Sequence, residues 1–379
     1  MRLPRSCACA ATVILAYLMA GCGSSGPSTT SLAERPSPQC SLGTQLGEGR
    51  QLLAPRPGTF YSVDVLNPDV VFFDGRYLMY FSGNDRRTQE GNWREGLAIA
   101  TSPTGPFRVQ PNLEGNYLNG GTTVWRGHLW HVVENNPIDG SDIRSEIASS
   151  SDGIHWRHGS FLPGFTDSGV TYHGADFWLE PQGSHLDVYM LLVPPQGGIR
   201  RSLGVASYTA GHWSDFHIIL PISATASMPW ASADLGEPAT FSVAGGHHLL
   251  FVGLAEPSLT RSIGLASEST TGWNVCGDTP ATPNGAHWGP ASSIDPSPLI
   301  VGDRLYLYYG ATTTNGFGAM SRPGFDGDFD ARFFLVEGEV TEHAKSEEVF
   351  TGAAGPRGAP RVRVRAPDRT HRERSGHRV

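Results

Sequence analysis

One phrase recurs five times along this chain, and a fixed internal period constrains a fold more tightly than composition does. The phrase is a short strand ending in Ala and Ser or Thr, then a turn, then an aromatic residue. It runs Gly96–Ser102 to Phe107, Ser145–Ser150 to Trp156, Ser202–Ser207 to Trp213 and Ser262–Ser267 to Trp273. A looser fifth copy runs Gly316–Ser321 to Phe329. The steps between the aromatic residues are 49, 57, 60 and 56 residues.

A second phrase precedes each copy: an apolar strand, a tight Gly-containing turn, and an aromatic-rich strand. The clearest is Asn67–Phe73, the pair Asp74-Gly75, then Arg76–Ser82. An Asp-Gly pair between two β-rich runs is a strong hairpin signal. The others are Thr122–Trp125 with Gly127, Asp176–Leu179 with Gly183, Glu237–Phe241 with Gly245-Gly246, and Asp295–Ile300 with Gly302-Asp303. Each unit reads as four antiparallel strands in about 50 residues, the size of a β-propeller blade. The predicted fold is therefore all-β: a five-bladed β-propeller, each blade a four-stranded antiparallel sheet, in one domain over 45–340. Composition agrees. The 47 Gly and 28 Pro oppose long helices, and 39% hydrophobic residues suffice for a core. The first strand of each blade lies nearest the axis, so polar side chains at its start converge on one hollow. Such a hollow is the default binding site.

Both ends of the chain read as extensions. Arg2 and Arg5 precede an apolar run, Cys7–Met19, and Met19-Ala20-Gly21-Cys22 follows. This is the pattern of an export signal. It resembles a bacterial lipobox, with Met19 in place of the usual Leu, and so implies lipidation of Cys22. The expectations are a lipoprotein signal peptide over 1–21, a Gly/Ser/Pro-rich tether over 22–44, and a place in the bacterial cell envelope, facing outside the cytoplasm. Membrane contact would run through the lipid anchor only. Cys40 and Cys276 are then the two remaining thiols, and an oxidising compartment predicts one disulfide between them. Residues 341–379 form a linker and a basic tail, with eight Arg after position 356. The whole chain carries −8, and the body without its basic ends is more acidic still. That gives no electrostatic motive for nucleic acid. A monomer is expected.

Asn67-Pro68-Asp69-Val70-Val71, the Asp74-Gly75 turn and Tyr77–Tyr80 resemble the opening blade of the five-bladed glycoside hydrolases. These are the arabinanase, xylosidase and invertase types of families 43 and 32. Ala100–Phe107 and Ser149–Trp156 resemble their third-strand phrase. The resemblance implies cleavage of a glycosidic bond by an Asp and a Glu, with a further Asp tuning the acid. The chemistry explains why carboxylates are wanted: one carboxyl protonates a poor leaving oxygen, and a second activates water or attacks the anomeric carbon.

Aligning the hairpins places Asn67, Gly120, Gly174, Glu237 and Asp295 at equivalent strand starts. Glu237-Pro238 resembles the acid-bearing strand of the family, and Asp295-Pro296 the Asp-Pro phrase. Asn67 stands where the family has its base, and an amide cannot be a general base. Asp64 is the nearest replacement. Asp69 is the alternative, facing away if side chains alternate along the strand. Blade two offers no acid at its slot but has Asn119, Thr122 and Thr123, and later Glu134, for sugar hydroxyls. Blade three offers His173 and Asp176. The catalytic candidates are thus Glu237, Asp64, Asp176 and Asp295, and the substrate-binding candidates are Asn67, Asn119, Thr122, Glu134 and His173. Trp125, Trp130, Trp178 and Trp230 are candidates for stacking on sugar faces. No cofactor or metal site is predicted. Asp326–Asp330 lacks the spacing of an EF-hand, and a central calcium is not readable. Ser151–Trp156 resembles a sialidase Asp-box, read as a blade turn. The leading expectation is an envelope-anchored glycoside hydrolase acting on a poly- or oligosaccharide. The alternatives are a catalytically inactive carbohydrate-binding propeller lipoprotein and a scaffold for polysaccharide assembly.

Overall fold

The structure is a computed structural model that describes residues 49–85, 93–111, 117–135, 144–195, 200–243, 246–277, 280–281, 292–312 and 332–339. The signal, the tether, Cys22, Cys40, the Asp326–Asp330 loop and the basic tail lie outside the described residues.

The hairpins form where the turn chemistry demands them. Asp74 and Gly75 both take positive φ, at 48° and 75°, and Arg126-Gly127 repeats this at 53° and 77°. Two consecutive left-handed residues match the twist of the flanking strands. The chain begins with β1 (Arg50–Leu53). Blade one follows with β2 (Asp64–Phe73), β3 (Arg76–Asn84), β4 (Trp93–Ala100) and β5 (Arg108–Val109). Blade two has β6 (Tyr117–Trp125), β7 (His128–Asn135), β8 (Arg144–Ser150) and β9 (Arg157–Phe161).

Blade three is larger. It has β10 (Phe165–Asp167), β11 (Val170–Gln182), β12 (His185–Val193), β13 (Ser202–Thr209), β14 (His212–Trp213) and β15 (His217–Leu220). Blade four has β16 (Asp234–Val243), β17 (Gly246–Leu254), β18 (Arg261–Ser269) and β19 (Gly272–Val275). Blade five has β20 (Ser292–Val301), β21 (Arg304–Thr312) and β22 (Arg332–Glu339). All pairings are antiparallel, and four of the five sheets have four strands. The protein is a five-bladed β-propeller.

Blade five departs from the expected repeat. Its third strand is β22, and its outermost strand is β1 from the other end of the chain. Arg50 and Gln51 pair with Leu335 and Phe334. The fifth copy of the phrase, Gly316–Phe329, lies outside the described residues. The ring is sealed by hydrogen bonds between distant stretches, so the last blade need not supply its own fourth strand.

The core lies between blades. Tyr80, Leu97 and Leu129 join blades one and two, and Val132, Ile147, Leu179 and Met190 join two and three. Leu191, Leu235 and Phe251 join three and four, and Leu250, Ile294 and Leu305 join four and five. Val70, Met79, Tyr308 and Leu335 join five back to one. Burying an aromatic or aliphatic side chain gives about 1.5–3 kcal/mol, so each interface holds its neighbour firmly. The inner strands β2, β6, β11, β16 and β20 touch in a closed circle. Cys276 is disulfide-bonded; its expected partner, Cys40, is among the residues not described. The Ser151–Trp156 segment is a turn, with Asp152 Oδ1 accepting the N–H groups of Ile154 and His155.

Candidate active site

Every inner strand carries a β-bulge at the same place. In blade one, Asn67-Pro68 lies opposite the single residue Phe81, because Leu66 pairs with Ser82 and Asp69 with Tyr80. The equivalents are Asn119-Gly120, Asp176-Phe177, Glu237-Pro238 and Asp295-Pro296. Bulges re-aim side chains, and they tolerate Pro because the ladder is already interrupted. Asn67, Asp176, Glu237 and Asp295 all take positive φ, between 49° and 55°. That conformation costs about 1–3 kcal/mol per residue and is held only where its surroundings over-determine it.

The bulges correct the alignment of slots. Asn67, Glu237 and Asp295 are equivalent, but the blade-two position is Asn119 rather than Gly120, and the blade-three position is Asp176 rather than Gly174. Gly174 precedes the bulge by two residues, and counting from the hairpin turns could not register the extra residue.

The bulged residues surround a small open hollow on the axis, whose floor includes Asn67, Asp69, Asp176, Glu237, Asp295 and Trp178. Carboxylates bind the backbone of the next blade. Glu237 Oε2 accepts the N–H of Asp295 at 2.7 Å, and Asp295 Oδ2 accepts the N–H of Asn67 at 2.9 Å. The Asn67 side-chain amide donates to Asp295 Oδ1 at 3.0 Å, and the N–H of Asp176 donates to Glu134 Oε1 at 3.1 Å. These bonds hold the strained bulges.

The charges divide unequally. Arg261 Nη1 donates to Glu237 Oε1 at 2.8 Å. Arg201 forms a bidentate pair with Asp234, whose attraction outweighs burial and raises the guanidinium pKa. Burial, and then the charge of Glu237, pushes the Asp176 carboxyl up to about 7. The same two causes, in the same order, push Asp295 well above the usual carboxylate range. Burial also raises Asp69, to about 6, against the opposing hydrogen bonds of Thr122 and the charge of His131. Carboxyl groups that hold protons near neutrality beside a charged carboxylate are what acid–base catalysis requires.

The floor thus gathers Asp176, Glu237, Asp295 and Asn67. Asp64 is buried at the start of β2 opposite Asn84, off the floor. Thr122 is buried between blades one and two, Glu134 lies behind Asp176, and His173 is exposed on β11. Asn119 occupies its bulge position on β6. Of the four tryptophans, Trp178 lines the hollow, Trp125 packs on Trp130, and Trp230 stacks on Phe251. Arg261, Arg201 and Asp234 were not singled out in the sequence, since no local motif marks them. Among the described residues no group of three or more His, Cys, Asp and Glu is placed to hold a metal ion.

This arrangement can be set beside known proteins. No protein-family model matches the chain. A 73-residue stretch is 33% identical to xylosidase/arabinosidase 43A of Humicola insolens, covering 17% of this chain and 21% of that protein. The match therefore spans about a fifth of that relative's length. The solved catalytic domain of the Coprinopsis cinerea family 62 α-L-arabinofuranosidase superposes with a TM-score of 0.57 at 11% identity. That alignment covers 78% of this chain and 97% of the other. The chain has the fold of the five-bladed glycoside hydrolases. A thermostable family-43 glycoside hydrolase is similar too, with a TM-score of 0.54 at 14% identity over 75% of this chain and 91% of that one.

Proposed function

We propose that the protein is an envelope-anchored glycoside hydrolase that cleaves a glycosidic bond in a poly- or oligosaccharide at the floor of the central hollow. The observation that carries this reading is the meeting of Asp176, Glu237 and Asp295, from three blades, with Arg261 bound to the middle one. The sequence suggests Glu237 as the acid; the contacts favour a different division of labour. Arg261 Nη1 and the Asp295 amide both donate to the carboxylate of Glu237. Asp176 keeps a proton near neutrality, and it retains open surface toward the hollow. Asp176 is therefore the group that protonates the leaving oxygen. Glu237 supplies the negative charge that holds this proton and stabilises the cationic anomeric centre. Trp178 offers a ring for a sugar face.

The test is hydrolysis by the purified protein of a panel of nitrophenyl glycosides and plant and microbial oligosaccharides, beginning with arabinofuranosides and xylosides. On the oligosaccharides, whose leaving groups are poor, Asp176→Asn and Glu237→Gln should each lower turnover by about 10²-fold or more, with the fold intact. Turnover unchanged in both variants would refute the assignment. Asn67 favours a second reading, a carbohydrate-binding propeller without turnover. Binding of a glycan with no product after prolonged incubation would mark it.

A further inference from the structure

Hydrolysis needs a base for water, and the bulge in blade one presents an amide, Asn67, at the shared slot. The next residue but one, Asp69, also lines the hollow. Counted from Asp64, strict alternation turns Asp69 away; counted from Asn67, it sets Asp69 on the same face as Asn67. With two residues of the bulge opposite one, alternation no longer decides the direction, and Asp69 comes to the floor.

Asp69 is held from behind by a buried chain of groups. Oδ2 accepts the backbone N–H of Thr122, and the hydroxyl of Ser297 lies 3.5 Å from Oδ1. The Thr122 hydroxyl also bonds Asp69 and lies 2.6 Å from His131 Nδ1. His131 Nε2 in turn faces Glu95 Oε1 at 2.7 Å. His131 sits directly beneath Gly120 on the floor. A Cβ at Gly120 would meet the ring at 2.7 Å, so the absence of a side chain there is what admits it. Asn67 Oδ1 is a buried acceptor that no donor of the described residues meets, because Nδ2 is turned toward Asp295.

We propose that Asp69 is the general base of the site, with Thr122, His131 and Glu95 acting as positioning residues behind it. The inference rests on the glycosidase reading above. In the step, a water oxygen bonds to the anomeric carbon and one of its protons passes to Asp69. The glycosidic C–O bond breaks with its electron pair on the leaving oxygen, which takes the proton of Asp176. Asp69 belongs to blade one and Asp176 to blade three, with the side-chain-free Gly120 of blade two between them. Burial has raised Asp69 to about 6, close to the operating range of a base at neutral pH.

The experiment uses the full-length protein and a nitrophenyl glycoside that the wild type cleaves. Asp69→Asn should lower turnover by about 10²- to 10⁴-fold, and azide should restore it by forming a glycosyl azide. Asp176→Asn should instead lose activity on glycosides with poor leaving groups and keep much of it on nitrophenyl substrates. His131→Gln supplies a second measurement. It removes a positive neighbour of Asp69, so the acid limb of kcat/KM should move to higher pH. The other titratable groups around Asp69 are Glu95 and Tyr80 behind it and Asp176, Glu237 and Asp295 on the floor; none is altered in that variant. Asp69→Asn turnover within about threefold of wild type overturns the inference, as does failure of azide to rescue a folded Asp69→Asn protein. An unmoved acid limb in His131→Gln overturns it too, and decides the matter if Asp69→Asn does not fold. A wild type that binds glycans but cleaves nothing overturns the glycosidase reading, and Asp69 as base with it.

Discussion

Asn67 gives both its backbone N–H and its side-chain amide to the carboxylate of Asp295, at 2.9 and 3.0 Å. The two residues are 228 positions apart and belong to the first and last blades. Their contact joins the ends of the ring at its axis, as β1 on β22 joins them at the rim. Asp295→Ala leaves a partly buried N–H and amide without an acceptor, at a cost of about 1–3 kcal/mol. Asp295→Asn retains an acceptor and should lose less. Urea midpoints measured at about pH 5 for the two variants check this ordering.

Asp176 makes stability depend on pH in a definite direction. Its carboxyl is raised from the ordinary value to about 7, first by burial and then by Glu237. A carboxyl that titrates higher in the folded protein favours folding while it is protonated. Its contribution is complete below the unfolded value near 4 and is lost as pH rises through about 7. Asp176→Asn removes that loss. The variant should melt above wild type at about pH 8, and the gap should close at about pH 4. A gap that does not change with pH would contradict the assignment of a buried, proton-holding carboxyl.

The five blades were legible because the aromatic residues after each Ala-Ser phrase repeat at nearly constant spacing, and each marks the turn of one sheet. Glu237 and Asp295 were legible because the aligned hairpins put each at a strand start and each precedes a Pro, as in the Asp-Pro phrase the chain resembles; the bulges that the structure shows there accommodate that Pro. Asp69 was legible only as the alternative to Asp64, since alternation counted across a bulge gives no direction and the bulge begins two residues earlier. Arg261 was not legible. It reaches Glu237 from the start of β18, 24 residues on, and only the pairing of blade-four strands brings it there. The closure of blade five by β1 likewise depends on a contact between chain ends that no local pattern encodes.

Arg261 and Glu237 form a nearly buried pair, with side chains 16% and 6% exposed. Removing one partner of such a pair leaves an uncompensated charge and costs about 3–5 kcal/mol. Arg261→Met should therefore destabilise the protein strongly at about pH 7. Arg261→Met combined with Glu237→Gln should cost less than the sum of the single changes, by at least about 1 kcal/mol. A double-mutant cycle in denaturant measures this coupling, and strict additivity would show that the contact carries no energy.

His247 links blades three and four away from the axis, and both of its ring nitrogens face carboxylates. Nε2 lies 3.0 Å from Glu180 Oε2, and Nδ1 lies 2.8 Å from Glu268 Oε2. Both nitrogens donate only in the imidazolium form. Burial pulls the His247 pKa down, but the bonds and charges of the two glutamates outweigh it, and the net shift is upward. Glu180 moves the opposite way: burial raises it, and the bonds from His247 and Thr240 bring it below its ordinary value. The His247 contribution is complete below the unfolded value near 6.5 and is lost as pH rises through the raised folded value. That of Glu180 is present above the ordinary carboxylate range and is lost in acid. The clamp therefore holds between these limits. His247→Gln should lower the melting temperature more at about pH 6 than at about pH 9, where the imidazolium is gone from wild type as well. An equal loss at both values would mean that His247 joins the blades by packing against Trp273, with ring centroids 5.0 Å apart, rather than by charge.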